Sequence, residues 1–339
     1  MFGKMLNNYY YGKSGKGDYN KENLPRNRWQ LFWEMLRVRF TGLFRLNIIA
    51  IAVFIPLLYV CAQMVNNLFT LMTVYVTVEQ DMAAATQDML NLYNNFGPAI
   101  QSVLNVSFLW MIPCIAITGP AQAGMAYVTR NWARDEHAFV WSDFKDAVRD
   151  NWKQALGVSV ITGFVPFAML LCWQFYGSLA GGSVLYIIPQ IFALTLGLLW
   201  MLALTYMYPM LVTYDMKFGQ IIKNGFLLAI GRLPHTVGAR LVMLLPAALV
   251  LLVSFFTPYT LYALMFLGGY YLLLGNALAR FVYASFTNGM FDKYINSRME
   301  GVQVNRGLAE EEDEDGDEEE DLPPQRPARD AQDTSGTII

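Results

Sequence analysis

The chain has 339 residues, 55% of them apolar and 15% charged, with a mean hydropathy of +0.31. That excess excludes an ordinary soluble globular domain and calls for an integral membrane protein. The formal charge of −3 hides eleven acidic residues between Glu310 and Asp321, without which the remainder carries a net +8.

Residues 1–30 form a polar arm rich in Tyr, Asn and Lys, too hydrophilic for the apolar region of a signal peptide. Six segments of about 20 apolar residues then follow, each long enough to cross a bilayer. They lie near Leu43–Val65, Ile100–Gly119, Leu156–Gly177, Leu185–Val212, Leu241–Thr257 and Leu261–Tyr283. The predicted fold is an all-α membrane domain over residues 31–300, followed by an acidic tail, residues 301–339. The tail has too little apolar surface to fold and is expected to be disordered.

One pattern recurs three times, at Phe32–Phe44, Phe144–Leu156 and Phe218–Ile230. Each copy places two aromatics and apolar residues on one helical stripe, with a basic residue on the flank. Each then runs into an apolar segment carrying a proline: Pro56, Pro166 and Pro246. The pattern predicts three units, each an amphipathic surface helix followed by a transmembrane hairpin.

Between the first two spans, apolar residues continue from Val65 to Val78, so the first helix is expected to project beyond the bilayer. Met82, Ala85, Met89 and Leu92 then predict a short amphipathic helix over residues 81–92. This connection contains Glu79, Asp81 and Asp88 but no Lys or Arg. The arm and the second and fourth connections are basic, so the positive-inside rule places both termini in the cytoplasm of a multi-pass cell-membrane protein.

The most distinctive stretch runs from Thr118 to Phe144. Gly119-Pro120 is expected to break or kink a helix, and Thr118, Gly119, Pro120, Ala123 and Gly124 form a candidate surface for close helix packing. Arg130 and Arg134 follow one turn apart, then Asp135-Glu136-His137, expected to form a solvated turn paired with one of those arginines. Ser142 or Asp143 is placed to cap the next helix. Arg130, Arg134, Asp143, Arg149 and Lys153 are the candidate partner-docking residues.

Nothing in the chain reads as catalytic machinery. His137 and His235 are the only histidines and lie in different connections, too few for a zinc centre. There is no phosphate-cradling glycine loop or nucleophile elbow. Cys61, Cys114 and Cys172 all sit in apolar segments and read as inert thiols. A non-enzymatic protein is expected, without cofactor, metal or nucleic-acid partner. Arg45, Asn47, Asn276 and Arg280 lie near the basic ends of their spans, where snorkelling accounts for the arginines. No acidic residue lies at mid-depth, which weighs against ion-coupled transport. Trp110, Trp173 and Trp200 read as interfacial anchors, with sugar stacking the alternative.

The chain resembles the YesL-like family of bacterial membrane proteins over about residues 30–295. The likeness rests on Leu43-Phe-Arg-Leu-Asn47, Thr118-Gly-Pro-Ala-x-Ala-Gly124, Tyr127-Val-x-Arg130, Phe139-Val-Trp-x-Asp-Phe144 and Asn151-Trp-Lys-Gln154. The resemblance implies an accessory subunit of an ABC-type carbohydrate importer, contacting its permease subunits and a sugar-binding lipoprotein. Two other readings remain open: a small-solute transporter acting alone, and a membrane scaffold unrelated to sugars.

Overall fold

The computed structural model describes residues 24–179, 183–299 and 301–309. Regular structure among them is helical: α1 (Arg28–Gln80), α2 (Gln87–Asn94), α3 (Phe96–Trp132), α4 (Val140–Leu179), α5 (Ile187–Leu211), α6 (Phe218–Gly231), α7 (Leu233–Phe256), α8 (Thr260–Tyr270) and α9 (Asn276–Tyr294). A five-residue π-helical stretch, Tyr271–Gly275, joins α8 to α9 into one span. Six helices are therefore long and apolar enough to cross a membrane: α1, α3, α4, α5 with its leading turn, α7 and α8–α9. Each expected apolar segment falls on one of them. The expected arm before residue 24 and the acidic run from Glu310 lie outside the described residues.

The three copies of the recurring pattern differ structurally. Phe32–Phe44 and Phe144–Leu156 are the leading turns of α1 and α4, continuous with the spans that follow. Neither copy contains a residue that cannot propagate a helix. The third copy forms a separate helix, α6, because Gly231 ends it and Pro234, in the first turn of α7, lacks the N–H that continuation requires. Gly119-Pro120 breaks nothing, since α3 runs through both Pro113 and Pro120. Pro120 withdraws the N–H that would bond the Ala116 carbonyl, and the Ser159 hydroxyl of α4 donates to that oxygen at 2.7 Å instead.

α1 is 53 residues long, about 80 Å at 1.5 Å per residue, against a hydrocarbon core of about 30 Å. Its far end turns at Asp81, and α2, capped by Thr86, returns alongside. Tyr75 stacks on Tyr93 at 4.8 Å and on Phe96 at 4.5 Å, so this projection packs on itself. The helix begins at Gln87 rather than at residue 81, leaving Met82 and Ala85 in the turn.

Packing is concentrated at the opposite end, where residues 24–27 and 301–309 meet; we call it the base. There Ala203–Leu211 of α5 are buried on every side, as is most of α3 from Thr118 to Trp132. One core joins α1, the basal half of α3 and α9, with Leu43, Leu46, Trp132 and Phe281 at its centre. A second joins α5 to α6 through Met207, Met210, Ile221 and Ala229. Trp200 lies inside this second core, with its indole N–H donating to Thr162 at 3.1 Å, so it is no interfacial anchor. Trp110 and Trp173 are exposed.

The π stretch leaves backbone groups outside the regular ladder. Asn47 of α1, fully buried, serves three of them. Its amide donates to the Tyr271 and Leu272 carbonyls at 3.0 and 2.8 Å, and its oxygen accepts from the Ala277 N–H at 3.0 Å. Asn47→Ala is expected to strand the Leu272 carbonyl and the Ala277 N–H, while the Tyr271 carbonyl keeps the Asn276 amide at 3.3 Å, and to destabilise the protein by about 1–3 kcal/mol, read as a lower unfolding temperature in detergent. An unchanged midpoint would show that the π stretch needs no external partner.

Candidate interaction site at the base

The α3–α4 contact is the most extensive in the molecule, and glycines make it close. A Cβ on Gly119 would lie 2.2 Å from the Ser159 hydroxyl and 2.4 Å from the Ala155 carbonyl oxygen. One on Gly124 would lie 2.7 Å from the Phe144 ring, and one on Gly163 would lie 2.9 Å from the Ile112 carbonyl oxygen. Thr118 and Ala123 are buried in the same contact, while Pro120 is half-buried.

α3 ends in a tight reversal. Asp135 adopts φ of 57°, and the Glu136 N–H returns to the Asn131 carbonyl at 2.9 Å. The Asp143 carboxylate accepts the Phe139 N–H at 2.8 Å, so Asp143 rather than Ser142 closes the start of α4. Its candidate docking group is therefore engaged in its own helix cap.

The candidate docking arginines divide into two groups. Arg130 is half-buried, donating to the Val212 carbonyl at 2.9 Å and to the Asn131 side chain at 2.8 and 3.1 Å, and it stacks over Tyr127. Arg134 is half-buried beneath Gly307, whose φ of +82° disfavours other residues and whose Cβ would lie 3.0 Å from the Arg134 carbonyl. Glu136 pairs with Arg306 at 2.6 Å, not with the nearby arginines expected from sequence.

Residues that sequence reasoning missed complete this base. Asp292 of α9, 10% exposed, pairs with Arg28 at 2.7 Å and accepts from the Asn305 N–H at 3.2 Å and from the Asn296 amide. Arg28 also donates to the Asn305 side chain, and the Ala309 N–H reaches the Pro25 carbonyl at 3.0 Å. Tyr214 donates to Asn296 at 2.7 Å, and burial pushes its phenol up to about 12, so it remains a neutral donor. Residues 301–309, grouped by sequence with the acidic tail, thus strap the base.

Arg149 and Lys153 are exposed on α4. With Trp141, Lys145 and Trp152, also exposed, they form one ridge at helical spacing. The opposite face of α4 buries Phe144, Ala147 and Ala155. Lys153 lies over the Trp152 ring, 5.7 Å from its centroid. The ridge starts beside a groove of about 580 Å³ lined by Arg45, Ile48, Phe139 and Trp141. Basic and aromatic side chains in this arrangement can bind an acidic, partly apolar surface.

Residues 63–175 match the family described as Protein of unknown function, DUF624. The match covers about a third of the chain, including the distal turns of α1, all of α2 and α3, and α4 through its ridge. No curated protein and no solved structure matches. Among the described residues, no three His, Cys, Asp or Glu side chains converge as metal ligands would, and Cys61, Cys114 and Cys172 are unpaired.

Gly119→Ala is expected to prevent the α3–α4 approach, because one of the clashing atoms is backbone. We expect a cost of about 1–3 kcal/mol or more and loss of monodisperse protein on size exclusion in detergent. Gly97→Ala, in open space on the same helix, should be tolerated. Equal behaviour of the two variants would contradict the close-contact account.

Proposed function

We propose that the protein is a non-catalytic subunit of a larger cell-membrane assembly, held to its partner through the α4 ridge. One observation carries this reading: the ridge belongs to a helix continuous with a span. A helix lying flat on the membrane could give its tryptophans and lysines to lipid headgroups. The basal turns of α4 before Leu156 amount to about 24 Å of helix, so they stand away from the bilayer. Aromatic side chains exposed there need another surface to cover them.

The basic arm and connections support a cytoplasmic base and cytoplasmic termini by the positive-inside rule. The likeness to the YesL-like family supplies the partner class: the permease subunits and sugar-binding lipoprotein of an ABC-type carbohydrate importer, which this subunit would stabilise or regulate. The three-unit organisation belongs to the same reading, with the surface segment fused to its span in the first two units and separate in the third.

The test is a mild-detergent pull-down of the tagged chain from native membranes, followed by mass spectrometry. Importer permeases and a sugar-binding protein should appear in comparable amounts. The triple variant Lys145→Glu/Arg149→Glu/Lys153→Glu should reduce their recovery at least tenfold at an unchanged unfolding temperature. Recovery of this chain alone would overturn the proposal. Recovery of an assembly without importer components would retain a scaffold and remove the sugar connection.

A further inference from the structure

Two arginines inside the basal half of the bundle have no carboxylate partner among the described residues. Arg240 of α7 donates to the Thr205 hydroxyl of α5 at 2.8 Å and to the Tyr283 hydroxyl of α9 at 3.3 Å, and its guanidinium stacks on the Tyr283 ring. Arg280 of α9 donates to the Gln122 side chain of α3 and stacks on Tyr208 of α5, 4.6 Å from its centroid. Gln122 is in turn tied to Thr118 at 2.9 Å. The two guanidinium charges lie within electrostatic reach of each other. The ion pairs of the base use Arg28 and Arg306 instead.

Stacking covers the faces of both guanidiniums but leaves their N–H edges, which carry most of their donors. Arg280 gives one Nη2 bond to protein; its Nε and Nη1 have no protein acceptor among the described residues. Both arginines are half-buried. Tyr208, whose ring carries the Arg280 guanidinium, is 2% exposed, and its hydroxyl is turned toward Ser159 of α4. Two half-buried cations without a carboxylate are costly as they stand. An anion with several acceptor oxygens would satisfy both.

Position specifies the anion further. Arg240 immediately precedes the apolar run of α7, Arg280 lies near the basal end of the sixth apolar segment, and Gln122 lies just past the second. All three therefore sit at the boundary between hydrocarbon and headgroups. α7 buries only Thr236 and Val250 along its whole length, so the seam between α7 and the α5–α9 surface opens toward lipid. We infer that Arg240 and Arg280, each held on a tyrosine ring, form a binding site for a phosphate group, entering as the headgroup of an anionic phospholipid. Bidentate guanidinium–phosphate bonds are the geometry such an edge favours.

The full chain in detergent, stripped of lipid, is titrated with short-chain phosphatidylglycerol, short-chain phosphatidylcholine and inorganic phosphate. Binding is read by native mass spectrometry and thermal shift. Phosphatidylglycerol should bind at least tenfold more tightly than phosphatidylcholine. Arg240→Gln/Arg280→Gln should abolish that preference, whereas Lys145→Gln/Arg149→Gln/Lys153→Gln on the ridge should keep it. Arg240→Lys/Arg280→Lys, which keeps both charges but loses the planar donor edges, should weaken phosphatidylglycerol binding several-fold and serves if the glutamine variants fail to fold. Saturation by inorganic phosphate alone, with loss in the same variants, would support the site and assign it a soluble anion. Equal binding of the two lipids with no response to phosphate, or a preference retained in the seam variants, would overturn it.

Discussion

The close approach of α3 to α4 is the constraint from which the rest of the base follows. At Gly119 the two helices are so near that a single methyl group would clash with both the Ser159 hydroxyl and the Ala155 carbonyl. In a bilayer, apolar area drives helix association weakly, so short-range packing and hydrogen bonds must hold the pair. Pro120 adds to this, because the carbonyl it frees is the acceptor for Ser159. The proline thus creates a polar tie between helices without ending its own. With α3 and α4 locked, the reversal at Asp135 and the Asp143 cap set the direction in which the first turns of α4 leave the bundle.

That direction separates a rigid base from loosely packed spans. α3 and α5 are buried on all sides near the base, whereas α7 presents apolar side chains outward along nearly its whole length. The strap of residues 301–309 closes the base over Arg134 and Glu136, and Arg28 and Asp292 join the start of α1 to the end of α9. The start of α1 and the segment after α9, remote in sequence, are thereby fixed to each other at the level where charged groups are cheapest to hold, outside the hydrocarbon.

The six spans were legible because about 20 apolar residues in a row have few alternatives to a membrane helix. Small residues at helical spacing have a direct steric meaning, and Thr118, Gly119, Ala123 and Gly124 are buried. Helix continuity was harder to read. Gly119-Pro120 looks like a break until the neighbouring serine is known, and the recurring pattern looks like three surface helices until Pro234 is recognised as the sole breaker. Asn47 and the π stretch were invisible as a pair, since the residues involved are more than 200 positions apart. Asp292 gave a faint signal, a carboxylate following an apolar span, but nothing local names Arg28 as its partner.

Charge counting assigns all basic residues at this end the same meaning, yet the structure divides them by environment. Arg28 and Arg306 are neutralised by carboxylates, and Arg130 is engaged by a carbonyl and an amide oxygen. Lys145, Arg149 and Lys153 stand on an open helical ridge beside tryptophans. Arg240 and Arg280 are packed on tyrosines with part of their donor edges unused. The first set costs little and holds the fold. A cation on the ridge is fully hydrated and attracts at long range, so it suits recognition of a large acidic surface. A guanidinium packed between helices has already lost much of its water, so an oxyanion reaching it meets a smaller desolvation cost. Basic residues therefore hold the base closed, stand open on a helical ridge or pack on tyrosines between helices, and depth in the bundle distinguishes among them.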